Sequence, residues 1–276
     1  MKIVSRGNTI STTEYLAKKQ KARRKRLSIY AGLLLALLIL LILLSRVEKF
    51  RIHEVSVSGT EVANKEAVSA TVQETLSGYY FWLVPKNNFL VYPNGKIIQV
   101  LADKFPRLSH IEVSLDGSQA VVVNAVEREP FALYCVAVES STCYFLDKEG
   151  FVFDFAPSFS AGVYFTYTKD GFTDPLGDPL LSTPEEFQTL SAFIAGFPNL
   201  GLDASSLQIK EDEYSLNLQN GGKILWPRDV DLAHIFSNLE SFLKSPEIKS
   251  QADFLNKIAT LDLRTENKVF YTFREE

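Results

Sequence analysis

The stretch Lys18–Leu44, KKQKARRKRLSIYAGLLLALLILLILL, begins with a dense basic segment. An apolar segment that contains no charged residue follows it directly. The apolar part, Leu27–Leu44, has about 18 residues, and a helix of that length extends about 27 Å, close to the thickness of a bilayer core. Apolar residues occupy all faces of this helix, which is untypical of a surface helix in a soluble protein. The stretch therefore predicts a single transmembrane helix at residues 27–45.

The distribution of charge predicts the orientation of this helix. Residues 1–27 contain nine Lys and Arg and one Glu, a net charge of +8, whereas the whole chain has −4, so the remainder has −12. Because Lys and Arg beside a span stay in the cytoplasm, we expect a flexible cytoplasmic tail at 1–26 and an extracytoplasmic remainder. A cleaved signal peptide has a similar pattern, but Leu44–Lys49 offers no small-x-small cleavage site and the apolar run is long for a signal.

The part of the chain after the apolar helix is acidic. Nucleic-acid binding needs a basic face, so nucleic acid is not expected as a ligand. The basic tail is interpreted as a topology signal with some attraction to anionic lipid. About 230 residues remain outside the membrane, which is enough for one large domain or two ordinary ones.

Residues 50–128 predict a small α+β domain with the order strand, helix, helix, strand, strand. The segment Tyr79–Tyr92, between the two helices, is aromatic and irregular. Three strands backed by two helices make a two-layer domain. The expected elements are a strand that ends at Gly59, helices that begin at Asn64 and Asn94, and strands at Ile111–Leu115 and Ala120–Val126.

Residues 129–276 predict a mixed β domain with at least two flanking helices. The helices are expected at Pro184–Phe197 and Asp229–Leu243, where apolar residues recur at helical spacing. Short aromatic strands precede and follow them, and Asp147-Lys148-Glu149-Gly150 is a hairpin turn. The expected strands are Phe131–Val136, Cys143–Leu146, Phe151–Phe155, Val163–Tyr167, Leu207–Ile209, Tyr214–Leu218, Lys223–Trp226, Ile258–Arg264 and Lys268–Phe273.

The two cysteines, Cys135 and Cys143, lie symmetrically about Glu139. A hairpin centred there places them directly opposite, where a cross-strand disulfide is geometrically allowed in an oxidising compartment. The alternative is two unpaired, half-buried cysteines. Two cysteines without a nearby His supply too few ligands for a metal site.

Five short motifs follow the apolar helix in a fixed order: Phe50–Thr60 (FRIHEVSVSGT), Phe105–Val113 (FPRLSHIEV), Glu127–Ala132 (EREPFA), Leu146–Phe153 (LDKEGFVF) and Leu261–Tyr271 (LDLRTENKVFY). Together they resemble the FtsQ/DivIB family of bacterial cell-division proteins. The resemblance implies a cytoplasmic tail, one span, a POTRA domain at 50–128 and a C-terminal β domain at 129–276. It also implies a scaffold in the cytoplasmic membrane at the division septum. The region 156–182 does not align with the family pattern.

No catalytic constellation is evident, so neither an enzyme nor a cofactor is expected. The three histidines, His53, His110 and His234, belong to separate elements, and the sequence lacks nucleophile-elbow, HExxH, phosphate-loop and CxxC motifs. Glu211-Asp212-Glu213 is interpreted as a solvated turn rather than a Ca²⁺ site. Glu127-Arg128-Glu129 is interpreted as an ion-paired junction rather than a catalytic trio.

The last predicted strand is the expected binding site. It has apolar side chains on both faces, and an edge strand offers unpaired N–H and C=O groups to a partner strand. The resemblance implies that a segment of an FtsB-type protein, in complex with an FtsL-type protein, binds there, flanked by Asp229–Leu243. The alternative is an ordinary strand with a covered edge. The expected partner-binding residues are Lys268, Val269, Phe270, Tyr271, Thr272 and Phe273.

Two other functional hypotheses remain. A membrane-anchored envelope enzyme that acts on peptidoglycan or on a secreted protein needs a cleft with convergent acid and base groups. A transport-type POTRA module normally precedes a membrane β-barrel, and no series of alternating barrel strands follows in this chain.

Overall fold

The computed structural model describes residues 12–137, 142–158, 162–251, 253–266 and 268–274. It is a mixed α+β structure with a three-stranded sheet, a two-stranded hairpin and a nine-stranded sheet. The chain divides into two compact units. The first unit comprises residues Met1–Ser58, Lys65–Ile98 and Glu112–Asn124, and the second comprises Gly59–Asn64, Gln99–Ile111 and Ala125–Glu276.

The described residues form the following regular elements. The α-helices are α1 (Thr12–Ser45), α2 (Lys65–Leu76), α3 (Asn94–Lys104), α4 (Pro184–Ala195), α5 (Leu232–Lys244), α6 (Pro246–Lys249) and α7 (Phe254–Lys257). The strands are β1 (Glu54–Ser58), β2 (Tyr79–Tyr80), β3 (Val84–Pro85), β4 (Leu108–Asp116), β5 (Ala120–Glu127), β6 (Ala132–Cys135), β7 (Cys143–Leu146), β8 (Val152–Ala156), β9 (Thr166–Lys169), β10 (Ala204–Ile209), β11 (Glu213–Leu218), β12 (Lys223–Pro227), β13 (Ile258–Asp262) and β14 (Phe270–Phe273).

Helix α1 contains the apolar run. Its part Lys19–Ser45 is long and apolar enough to span a membrane, and its side chains are not buried within the structure. The prediction of a flexible basic tail was wrong for the part that begins at Thr12, because α1 continues through it. Residues 12–30 contain neither Gly nor Pro and are rich in Ala, Lys, Arg, Gln and Leu, which favour the helix.

The three-stranded sheet has the order β1-β5-β4, with β1 parallel to β5. The predicted order of strand, helix, helix, strand, strand is present, and β1 ends just before Gly59 as expected. Gly59 has a φ of +78°, and a Cβ atom there would lie 1.9 Å from the carbonyl oxygen of Ala125, so only glycine fits. The buried apolar side chains of the first unit are Ile52, Val68, Val72, Leu76, Ile97, Val113, Val121 and Val123.

A hairpin that the sequence did not predict lies between α2 and α3. Its strands β2 and β3 pair Tyr80 with Val84, and the Leu83 N–H donates to the Tyr80 carbonyl over 3.0 Å. The two central turn residues, Phe81 and Trp82, have φ values of +47° and +61°. Three residues, Phe81 to Leu83, lie between the strands, and the positive φ of the first two is a conformation that Asn and Gly adopt with less strain than aromatic residues. Large residues in this conformation cost about 1–3 kcal/mol each.

The second unit is organised by the nine-stranded sheet, with the order β14-β13-β12-β11-β10-β9-β6-β7-β8. Strands and helices both contribute aromatic side chains to its core: the ring of Phe193 in α4 lies 5.2 Å from that of fully buried Trp226 in β12 and 6.1 Å from that of Phe236 in α5. Burial of large apolar side chains such as these makes the main favourable contribution to the folding free energy of the second unit.

The strand pairs β6–β7 and β7–β8 form consecutive antiparallel hairpins. The predicted turn at Asp147-Lys148-Glu149-Gly150 is confirmed: Asp147 Oδ1 accepts from the N–H groups of Glu149 and Phe151 over 2.8 and 3.0 Å. Cys135 and Cys143 are opposite each other and joined by a disulfide. Residues 138–141, which include the predicted centre Glu139, lie outside the described residues.

Candidate functional site

Strand β14 is the terminal strand of the nine-stranded sheet. It pairs with β13 on one side only, in antiparallel register, with Leu261 opposite Tyr271 and Asp262 opposite Phe270. Its residues are exposed, unlike those of the central strands. The predicted edge strand is therefore present at the end of the sheet, and its outer side is not paired with any strand in the described part of the chain.

The register defines which backbone groups of β14 are directed outward. Arg274 N–H donates to the Lys257 carbonyl over 3.0 Å, so Arg274 is directed towards the segment that contains β13. In an antiparallel ladder this direction alternates along the strand. It follows that Tyr271 and Phe273 direct their N–H and C=O groups away from β13, whereas those of Thr272 are directed towards it.

The side chains of Tyr271 and Phe273 are on the same face as the helices. Tyr271 is opposite buried Leu261, and Phe273 is opposite buried Ile258. The Tyr271 ring lies 5.3 Å from the ring of Phe254 in α7 and 5.7 Å from that of Phe242 in α5. This aromatic cluster packs against one face of β14. It fixes the position of Tyr271 and Phe273, whose backbone N–H and C=O groups are directed away from β13.

Phe270 projects from the opposite face of the sheet. It is opposite Asp262, and its side chain remains 54% exposed. An exposed phenylalanine beside unpaired backbone groups is the combination that strand addition uses, with main-chain hydrogen bonds for affinity and side-chain contacts for specificity.

Ion pairs hold the connection between β13 and β14. Arg264 Nη1 lies 2.9 Å from Glu213 Oε2, and Arg264 Nη2 lies 2.6 Å from Asp262 Oδ2. The hydrogen bond from Arg264 lowers the pKa of Asp262, and hydrogen bonds from Lys210 and then Arg264 lower the pKa of Glu213. The acidic cluster that contains Glu213 is thus partly ion-paired.

Two of the six predicted binding residues lie outside the strand. The prediction that Lys268 and Val269 are strand residues was wrong, because β14 begins at Phe270, opposite Asp262 at the end of β13. Val269 is half-buried against the core of the second unit, so its side chain is a packing residue. Asn267, between the two predicted strands Ile258–Arg264 and Lys268–Phe273, lies outside the described residues.

In the Glu127-Arg128-Glu129 segment, Glu127 binds the backbone of another segment of the same unit. Glu127 Oε1 accepts from the backbone N–H groups of Glu61, Val62 and Ala63 over 2.7–2.9 Å. Partial desolvation acts to raise the pKa of Glu127, but these three hydrogen bonds outweigh it and the pKa is lowered.

Two of the three histidines lie beside polar side chains. His110 Nδ1 lies 3.3 Å from Ser109 Oγ, and His234 Nε2 lies 3.1 Å from Asn238 Nδ2. Within the described ranges, no group of three His, Cys, Asp or Glu residues is arranged to hold a metal ion.

Comparison with known proteins adds no relative. No protein-family model matches the chain, and no curated protein matches its sequence. The likeness to the FtsQ/DivIB family therefore depends on the five short motifs and their order.

Proposed function

We propose that this protein is a membrane-anchored, non-enzymatic cell-division scaffold of the FtsQ/DivIB type. In this proposal α1 spans the cytoplasmic membrane with its basic end inside, and the remainder of the chain is extracytoplasmic at the division septum. A segment of an FtsB/FtsL-type partner adds to the free side of β14, and this contact helps to control septal peptidoglycan synthesis.

The observation that supports this proposal most directly is the terminal position of β14. Tyr271 and Phe273 direct backbone donors and acceptors outward, and their rings are fixed on Phe254. A preorganised edge of this kind loses little conformational entropy when a strand adds to it.

Other features support the proposed topology and domain type. The strand, helix, helix, strand, strand order of the three-stranded sheet is that expected of a POTRA domain. The Cys135–Cys143 disulfide is typical of an oxidising compartment outside the cytoplasm. The lysines and arginines at the start of α1 favour a cytoplasmic N-terminus.

Photo-crosslinking in cells tests the binding site. A benzoylphenylalanine probe replaces Phe270 in β14, and the matched control replaces Phe155 in β8, the strand at the other end of the same sheet. The two side chains are 54% and 58% exposed, so they give a reactive probe similar access. We expect an adduct with one small single-span protein from position 270 and none from position 155.

Two outcomes would contradict the proposal. Equal adducts from both positions would show that exposure alone determines the reaction. No adduct from position 270, in a protein that is inserted and has its disulfide formed, would show that another part of the chain or the envelope covers this edge.

A further inference from the structure

The tip of the β2–β3 hairpin exposes two large aromatic side chains. Phe81 and Trp82 are each 90% exposed, although their positive φ values suit small polar residues better. A strained backbone that presents apolar side chains to its surroundings is a sign of function, because Asn-Gly would form the same turn with less strain.

The hairpin tip is hydrogen-bonded to the end of α1. Arg46 follows Ser45, the last residue of the helix, and its Nε and Nη2 atoms donate to the carbonyl oxygens of Leu83 and Trp82, each over 3.3 Å. Arg46 is only two residues beyond Leu44, where the apolar run ends. The aromatic tip is therefore held beside the end of the apolar helix.

A second loop of the same unit is held at the same place. Asn88 is buried, and its Nδ2 donates to the Ser45 carbonyl over 3.0 Å, which satisfies an acceptor at the end of α1. Its Oδ1 accepts from the N–H of Leu90, a residue that is 75% exposed, and exposed Val91 follows. Two apolar loops are thus fastened to the end of one apolar helix.

We infer that Phe81 and Trp82 lie in the interfacial layer of the extracytoplasmic leaflet, beside α1. This inference rests on the proposed membrane insertion of α1. Aromatic rings, tryptophan above all, favour the headgroup level of a bilayer, and the exposed guanidinium of Arg46 suits the phosphate oxygens there. The ligand of the tip is therefore phospholipid, because the hairpin is hydrogen-bonded to Arg46, only two residues beyond the end of the apolar run.

Tryptophan fluorescence of the full chain in vesicles tests this inference. The vesicles contain phosphatidylcholine and phosphatidylglycerol, with bromine atoms either shallow or deep on the acyl chains. The chain has two tryptophans, and Trp226 is fully buried, so Trp82→Phe reports the background. We expect shallow bromines to quench wild-type emission at least twofold more than they quench the emission of Trp82→Phe.

Leu38→Trp in the Trp82→Phe background serves as the control for insertion. Quenching of this introduced tryptophan by deep bromines, without quenching of Trp82 by shallow bromines, overturns the hairpin inference and leaves the anchor intact. Absence of quenching at both positions overturns the anchor and the hairpin inference together. The inference is also overturned if Trp82 is protected from solvent only when another protein is added and not by the lipid of the vesicles alone.

A double variant separates lipid contact from folding. Phe81→Asn with Trp82→Gly supplies residues that adopt a positive φ with less strain. We expect an equal or higher unfolding temperature, loss of shallow bromine quenching, and an unchanged adduct from the probe at position 270. A lower unfolding temperature of this double variant would show that the two aromatic residues stabilise the fold, and it would overturn the inference.

Discussion

Arg128 and Asp147 form an ion pair that is almost closed to solvent. The side chains are only 17% and 8% exposed, and Arg128 Nη1 donates to Asp147 Oδ2. The guanidinium also lies over the ring of Phe151, 4.1 Å from its centroid, and its Nε donates to the Pro106 carbonyl over 3.2 Å. Asp147 Oδ1 shapes the β7–β8 turn, so one carboxylate serves both the turn and the ion pair.

Arg128→Ala should lower the free energy of unfolding by about 3–5 kcal/mol, because it leaves the Asp147 carboxylate buried without its cation. Urea denaturation of the full chain in detergent measures this loss. Lys244→Ala is the matched control, since Lys244 pairs with Glu240 on the surface and its loss should change the free energy by less than about 0.5 kcal/mol. Equal losses in the two variants would show that the buried Arg128–Asp147 pair contributes no more to the free energy of unfolding than an exposed pair does.

Glu127→Gln should lower the free energy of unfolding at pH 7 by about 1–2 kcal/mol, because the charged acceptor of three N–H groups is lost. The folded state lowers the pKa of Glu127 from its ordinary value of 4.5. Its contribution is therefore fully present above that value and is lost as the pH falls through the folded-state pKa. The difference between wild type and variant should shrink as the pH falls below 4.5; a constant difference would contradict the assignment.

Tyr271→Pro should weaken partner binding more than Tyr271→Ala. Both variants lose the ring that packs on Phe254, but only proline also removes the outward-directed N–H. The additional loss should be about 1 kcal/mol, roughly fivefold in Kd, measured by titration with the crosslinked partner's segment. Thr272→Pro serves as a contrast, since its N–H is directed to β13 and its loss should lower the unfolding temperature. Equal affinity of the Tyr271 variants would argue against strand addition.

Cys135→Ser with Cys143→Ser should lower the free energy of unfolding by about 2–3 kcal/mol, because the disulfide closes a loop between residues eight apart. Thermal unfolding with and without dithiothreitol measures the effect. The reductant should reproduce the double variant in the wild type and should leave the variant unchanged. If dithiothreitol also changes the thermal unfolding of the double variant, the reductant acts on something other than this disulfide.

The sequence predicted those elements of the fold that have a strong local signal. The uniform apolar run of α1 and the Asp147–Gly150 turn have local signals that do not depend on distant contacts. The position of β9 was less predictable: the strand begins at Thr166 rather than near Val163, because pairing with β6 and β10 determines its register. The β2–β3 hairpin was missed because Phe81-Trp82 replaces the expected Asn-Gly.

The sequence identified the candidate site only in part. Phe270–Phe273 could be predicted as a strand from their aromatic and β-branched residues. Phe254, which supports Tyr271 and Phe273, was not predicted, because α7 has four residues and too short a span for any helical periodicity. The strand began two residues later than predicted, since the ladder ends where β13 ends.

Helix α1 extends without a break for 34 residues, about 51 Å, and Arg46 and Asn88 fix the first unit to its end. In the proposed orientation, this helix joins the hairpin outside the cell to the basic segment inside it. The two sides of the bilayer are then connected by one continuous hydrogen-bonded backbone, without a loop between the membrane span and the basic segment.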